Sequence, residues 1–257
     1  MTSCRLRIHT SRNDIQHIAA IAQGNAAKQC EVARQIADIA VYFSEEKPFT
    51  VFMAGSPGAG KTEVSKAIAE DLDERNLSLQ AKRVLRIDPD DFRSLIPGYV
   101  GGNSYLFQRA VTKILEKVLD RAFEKRLSFI LDGTMANFDV AKRNIDRVLG
   151  SRRNAQIMYV YQRPELAWQF VQARELTEGR NIPLQEFARQ FVAARRNVIE
   201  LKRLYDNQIH IDLLIKNFDG GSQWVELDAS GDTIDALIPQ TYDQVQLVEL
   251  LTEAGNQ

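Results

Sequence analysis

The sequence predicts an α/β protein, a three-layer α/β/α sandwich on a five-stranded, mainly parallel sheet with a helical extension in front. Three observations predict it. Five apolar runs alternate with segments of helical periodicity. The first run ends in a Gly-x-x-x-x-Gly-Lys-Thr loop that opens directly into a helix, the strand–loop–helix setting of a phosphate-binding loop. The second and third runs close on aspartates, at the carboxyl ends of strands where ligands bind in parallel sheets.

The extension comes first, and we set its boundary at residues 1–47, with residues 48–257 as the main domain. Ser11-Arg12-Asn13-Asp14 resembles a capping box, followed by Ile15, Ile18 and Ile21 on one helical face. Val32, Ile36, Ile39 and Phe43 continue at helical spacing up to Pro48. Two readings stand: these helices cover one side of the sheet, or they regulate a nearby site by occluding it.

Val51-Phe52-Met53-Ala54 is the first strand, and Gly55-Ser56-Pro57-Gly58-Ala59-Gly60-Lys61-Thr62 is the loop. Its glycines let backbone N–H groups turn inward toward phosphate oxygens, and the following helix points its positive end at the same anion. Lys61 is placed to reach the β- and γ-phosphates, and the Thr62 hydroxyl to ligate Mg²⁺. The loop therefore implies ATP or GTP with Mg²⁺. Arg83 to Ile87 is the second strand, ending in Asp88-Pro89-Asp90-Asp91-Phe92-Arg93. A carboxylate there can accept a proton from an attacking hydroxyl; the alternative is a solvated turn with an N-cap.

Tyr105 to Lys125 is a periodic helix that leaves Glu116 off its apolar stripe. Leu127 to Leu131 is a buried strand closing on Asp132-Gly133-Thr134, an acid placed to hold a Mg²⁺ water or a substrate group. Asp139 to Leu149 is a helix and Ala155 to Tyr161 the fourth strand. Pro164 opens the next helix, as proline suits a first turn. That helix carries Arg174 and Arg180 on a segment broken by Gly179 and Pro183, the pattern of a lid that neutralises charge in a transition state. Gln185 to Tyr205 is a long amphipathic helix, Ile209 to Asn217 the fifth strand, and the remainder, with Trp224-Val225-Glu226-Leu227, reads as packing.

Bulk properties narrow the partners. Net charge is −1 with 26% charged residues, so no basic field marks a nucleic-acid binder. Two cysteines are too few for a disulfide framework or a Cys metal site. His9, His17 and His210 show no ligand spacing. No apolar stretch has the roughly 18–20 residues of a membrane span, and no signal peptide opens the chain. A cytoplasmic location is expected.

Over about residues 50 to 218 the motifs resemble, in order, those of the zeta-toxin-like kinases. Gly55–Thr62 matches the family's phosphate loop. Ile87 to Arg93, with Pro97 and Tyr99 beyond, is similar to its Asp-x-Asp-x-Phe-Arg/Lys and Pro-x-Tyr motifs, which puts Asp90 in the place of the catalytic base. Counting back from Asp132-Gly133-Thr134 puts Glu116 at the substrate-binding glutamate, and Arg174 and Arg180 fall where two lid arginines contact the phosphates. The resemblance implies transfer of a γ-phosphate to a hydroxyl of UDP-N-acetylglucosamine or a similar nucleotide sugar, with Glu116, Asp132 and Thr134 shaping its pocket. It also implies an antitoxin protein as partner. The sequence departs from the pattern at Asp132, where glutamate is usual, at Ala136, where arginine is frequent, and in the short spacing of the lid arginines. Other hydroxyl acceptors (an antibiotic, a nucleoside, a dinucleotide) and a non-catalytic nucleotide-dependent binding module therefore stay open.

Overall fold

The computed structural model describes residues 26–74, 82–94, 108–178, 181–216 and 223–254. In chain order the elements are α1 (Ala26–Ile36), β1 (Phe49–Ala54), α2 (Lys61–Glu74), β2 (Val84–Ile87), α3 (Asp91–Ser94), α4 (Gln108–Glu124) and β3 (Ser128–Leu131). They continue with α5 (Phe138–Gly150), β4 (Asn154–Gln162), α6 (Pro164–Glu178), α7 (Leu184–Tyr205), β5 (Ile209–Lys216), β6 (Gln223–Glu226), α8 (Gly231–Leu237) and α9 (Gln244–Ala254).

The strands lie in the order β2-β3-β1-β4-β5-β6. The first five are parallel, with Val51 opposite Ile130 on one side and Gln156 on the other. Right-handed crossovers then dictate the layers. The step from β1 to β2 runs one way across the sheet and carries α2 on one face, where Val64, Ile68 and Leu72 pack on Val51, Met53, Ile130 and Val160. The later steps run the other way and place α4 to α7 on the opposite face, in a larger core centred on Ile114, Phe129, Ile157, Phe187 and Ile211. Strand β1 sits in the middle, so its loop is flanked by both halves of the sheet.

The sheet holds six strands where five were expected. Trp224-Val225-Glu226, read as packing, belongs to β6, which pairs antiparallel with β5 through Leu214 and Val225. Such an edge strand keeps one side open, and Trp224 and Val225 are about half exposed, which hides the alternation that would mark a strand.

Before β1, the expected helix through Phe43 stops at Ile36. Ala33 and Ala37 are buried in the larger core, and Arg121 Nε of α4 donates to Ala37 O at 2.7 Å. Residues 38–48 then run under the strand ends, where Arg83 Nε donates to Glu45 Oε1 at 2.6 Å. The helix expected from Ser11 onward lies outside the described residues. Among the described residues, no helix is long and apolar enough to cross a membrane.

Candidate active site

The loop between β1 and α2 curls as its glycines allow. Gly55, Gly58 and Gly60 have φ of 136°, 73° and 83°, a region that side-chain-bearing residues rarely adopt. At Gly58 a Cβ would come within 2.1 Å of Ala167 O at the start of α6, so only glycine lets the loop approach that backbone. Gly55 N donates to Thr134 O at 3.3 Å, which ties the loop to the segment after β3.

Lys61 opens α2 and folds back over the loop, its Nζ donating to Ser56 O at 2.7 Å. Burial pushes its ammonium down to about 8, opposed by Asp132, Asp90 and Asp88 and reinforced by Arg174. Three carboxylates on the β2–β3 side and the α6 arginine thus surround this amine.

Arg86, in the middle of β2, organises those carboxylates. Its Nη2 donates to Asp88 Oδ2 and, at 3.1 Å, to Asp132 Oδ2; its Nη1 donates to Asp91 Oδ2 at 2.7 Å. Its Nε donates to Ser65 Oγ at 2.9 Å, and the Ser65 hydroxyl lies 3.0 Å from Asp132 Oδ2. Burial works against the guanidinium charge, but Asp88, Asp91 and Asp132 outweigh it and hold Arg86 above its ordinary value. Asp88 is held above the usual carboxylate range by burial and by the nearby Asp132 and Asp90, while the Asp90 amide and Arg86 pull it back. Asp88 Oδ1 accepts from the Asp90 amide at 2.9 Å, a local turn that fixes how Asp90 leaves the strand. Asp90 in turn accepts from Arg93 Nη1, and Arg93 Nη2 donates to Gln108 Oε1 at 3.1 Å.

These groups converge on one cavity of about 900 Å³, lined by Gly58 to Glu63, Asp88, Asp90, Asp132, Thr134, Gln162, Arg174 and Lys216, among others. Its size suits a nucleotide with a second small molecule beside it. Pro57 also lines it, Ser56 contributes the carbonyl that Lys61 holds, and Gly55 anchors the loop from below.

One expected site residue, Glu116, is not among those that line the cavity; it is exposed, 3.0 Å from Lys113 Nζ, about 12 Å further along the same flank of α4 as Gln108. Helix α4 buries Ile114 and Val118 and leaves residue 116 on its exposed side. Arg180, Pro97, Tyr99 and Gly179 lie outside the described residues. Sequence reasoning missed Arg86, whose signal was a charged residue inside an otherwise apolar strand, and Asn197 of α7. The Asn197 amide donates to Met135 O at 2.8 Å from a fully buried position, holding the turn after Thr134 from far away in the chain.

Among the described residues no three His, Cys, Asp or Glu side chains are placed to hold a metal by themselves. Magnesium bound together with a triphosphate needs fewer, since it keeps waters and takes phosphate oxygens and one or two hard donors. Thr62, Asp88 and Asp132 offer such oxygens around the one cavity, so the residues fit the ion.

Comparison with known proteins bears on family and fold. The family model described as Zeta toxin matches residues 33–224. No curated protein matches the chain. Among solved structures, the PezAT chromosomal toxin–antitoxin system of Streptococcus pneumoniae is similar over 97% of this chain and 98% of that one, with 17% identity and a TM-score of 0.61. The AvrRxo1-ORF1:-ORF2 complex with ATP is similar over 90% of this chain and 73% of that one, with 16% identity and a TM-score of 0.59. At such identities the likeness is one of fold.

Proposed function

The chain belongs to the zeta toxin family of P-loop kinase-like phosphotransferases, and from that premise we propose that it transfers the γ-phosphate of ATP or GTP to a hydroxyl of UDP-N-acetylglucosamine or a similar nucleotide sugar. One observation carries the reading: Lys61, Asp90, Asp132 and Arg174 face a single cavity floored by the phosphate loop. A binding module needs the loop and Lys61; it has no use for a carboxylate held close to them in the same cavity.

In this reading the loop amides and Lys61 bind the triphosphate, and Arg174, joined by Arg180, neutralises charge spread over the transferring group. Asp90, oriented by Arg93 and by its own amide on Asp88, accepts the proton of the attacking hydroxyl. The hydroxyl oxygen forms a bond to the γ-phosphorus as the bond to the β–γ bridging oxygen breaks, leaving the nucleoside diphosphate. Thr62 would hold Mg²⁺, and the ion would supply further charge neutralisation. Thr134 and Asp132 border the acceptor, and Glu116 is left to meet only a part of an acceptor that extends beyond the cavity along α4. The work belongs in the cytoplasm, where nucleotides are abundant. A protein antitoxin is the proposed partner, in keeping with the toxin–antitoxin nature of the PezAT system.

A second acceptor class has an observation in its favour. Ala136 is buried and offers no cation to a diphosphate, and Asp132 Oδ2 is already engaged by Arg86 and Ser65. Both favour a smaller, less anionic hydroxyl compound. The test is nucleotide turnover with Mg²⁺, with and without UDP-N-acetylglucosamine, for the wild type and Asp90→Ala. The proposal expects phosphorylated sugar nucleotide from the wild type and a 10²- to 10⁴-fold slower rate in Asp90→Ala. Nucleotide binding without sugar product would favour the second acceptor class, and undiminished turnover in Asp90→Ala would remove Asp90 as base.

A further inference from the structure

We infer that Lys216 is a nucleotide-binding residue that contacts a phosphate on the nucleoside side of the triphosphate; this rests on the nucleotide-dependent reading above. Lys216 is the last residue of β5 and stands in register with Gln162, the last of β4. Both line the cavity at the carboxyl edge of the sheet. Alternation along β5 turns Lys216 to the same face as Leu214, beneath the phosphate loop.

The loop makes room for it. A Cβ on Gly60 would lie 2.3 Å from Lys216 Nζ, so the ammonium occupies the space that a side chain at residue 60 would take. Glu63 Oε2 would lie 3.3 Å from that same Cβ, yet among the described residues Lys216 Nζ has neither an ion pair nor a hydrogen bond. A half-buried ammonium packed on a phosphate-binding backbone, with no anion paired to it among the described residues, suits a phosphate oxygen.

Strand order says which anion. β2 and β3, bearing Asp88, Asp90 and Asp132, lie on one side of β1, and β4 and β5 on the other. A triphosphate whose γ end points toward Asp90 therefore has its nucleoside end toward Lys216. Lys61 and Arg174 serve the γ end; Lys216 meets the part of the chain shared by the triphosphate and the diphosphate.

The experiment compares affinities for ATP, ADP, GTP and GDP in the wild type, Lys216→Met, Lys216→Arg and Lys61→Met, with melting curves to establish folding. Lys216→Met should weaken the preferred triphosphate and its diphosphate by the same factor, about tenfold for one lost charge-assisted contact. Lys216→Arg should stay within about threefold of wild type, and Lys61→Met should weaken the triphosphate more than the diphosphate. Unchanged affinity in a folded Lys216→Met that sits beside a weakened Lys61→Met overturns the inference alone. A loss confined to the triphosphate overturns it too, since Lys216 would then act at the γ end. A wild type that binds none of the four nucleotides overturns this inference together with the nucleotide reading beneath it.

Discussion

Replacing Arg86 by Met should cost about 3–5 kcal/mol of folding stability at neutral pH, the range for removing one partner of a buried ionic group. The structure tells which contacts generate that cost. Asp91 is 66% exposed at its side chain, and its pairing contributes little through solvent. Asp88 and Asp132 are 10% and 6% exposed, and without the guanidinium they face each other across a desolvated gap. The sign of the pH dependence follows. Asp88 already titrates above its ordinary range, and removing Arg86 takes away one of the two influences that pull it back. An acid whose folded-state pKa exceeds its unfolded value destabilises the fold where it is forced to ionise; that penalty fades as pH falls toward the unfolded value near 4. Arg86→Met should thus show its full deficit at pH 7 and a smaller one at pH 5, by about 1.4 kcal/mol for each unit of additional shift. Adding Asp132→Asn should recover part of the pH 7 loss. Urea unfolding at the two pH values measures all of this. A deficit of equal size at both, untouched by Asp132→Asn, would refute the electrostatic argument and leave only lost packing.

Two further outcomes test the loop. Lys61, pushed to about 8 by burial, must carry its proton to meet a triphosphate, so nucleotide affinity should fall by up to tenfold per unit as pH rises above 8 and stay flat between pH 6 and 7. Titrations across pH 6 to 9.5 check it, and affinity that stays flat to pH 9.5 would mean Lys61 is not depressed. Gly58→Ala combines a φ of 73° with a Cβ 2.1 Å from Ala167 O, a backbone atom that cannot rotate away. It should lose about 1–3 kcal/mol in stability and most of its nucleotide binding, read by melting and by titration; a variant that binds as well as wild type would contradict the close approach of loop and α6.

What could be read before the fold was known is what depends on neighbours in sequence. The phosphate loop, its strand and its helix occupy one unbroken stretch, and periodicity marks α4, α5 and α7 in the same way. Asp88 and Asp90 are joined by a two-residue turn, so their pairing was visible. Arg86 was not, because an arginine in a strand declares its charge but not its partners, and Asp132 reaches it only where β3 lies beside β2. Asn197 was hidden for the same reason, being 62 residues from the carbonyl it holds. Glu116 shows the converse: counting along the chain gives a position on α4, while its partner in the fold, Lys113, is set by helical spacing. Strand order also supplies what no motif states, a direction. Carboxylates end β2 and β3, an amide and an ammonium end β4 and β5, and the loop stands between them. A hydroxyl and a triphosphate brought to the same loop therefore have their sides assigned by topology, the acids on the β2–β3 flank and Lys216 of β5 on the other, with Lys61 and Arg174 between them.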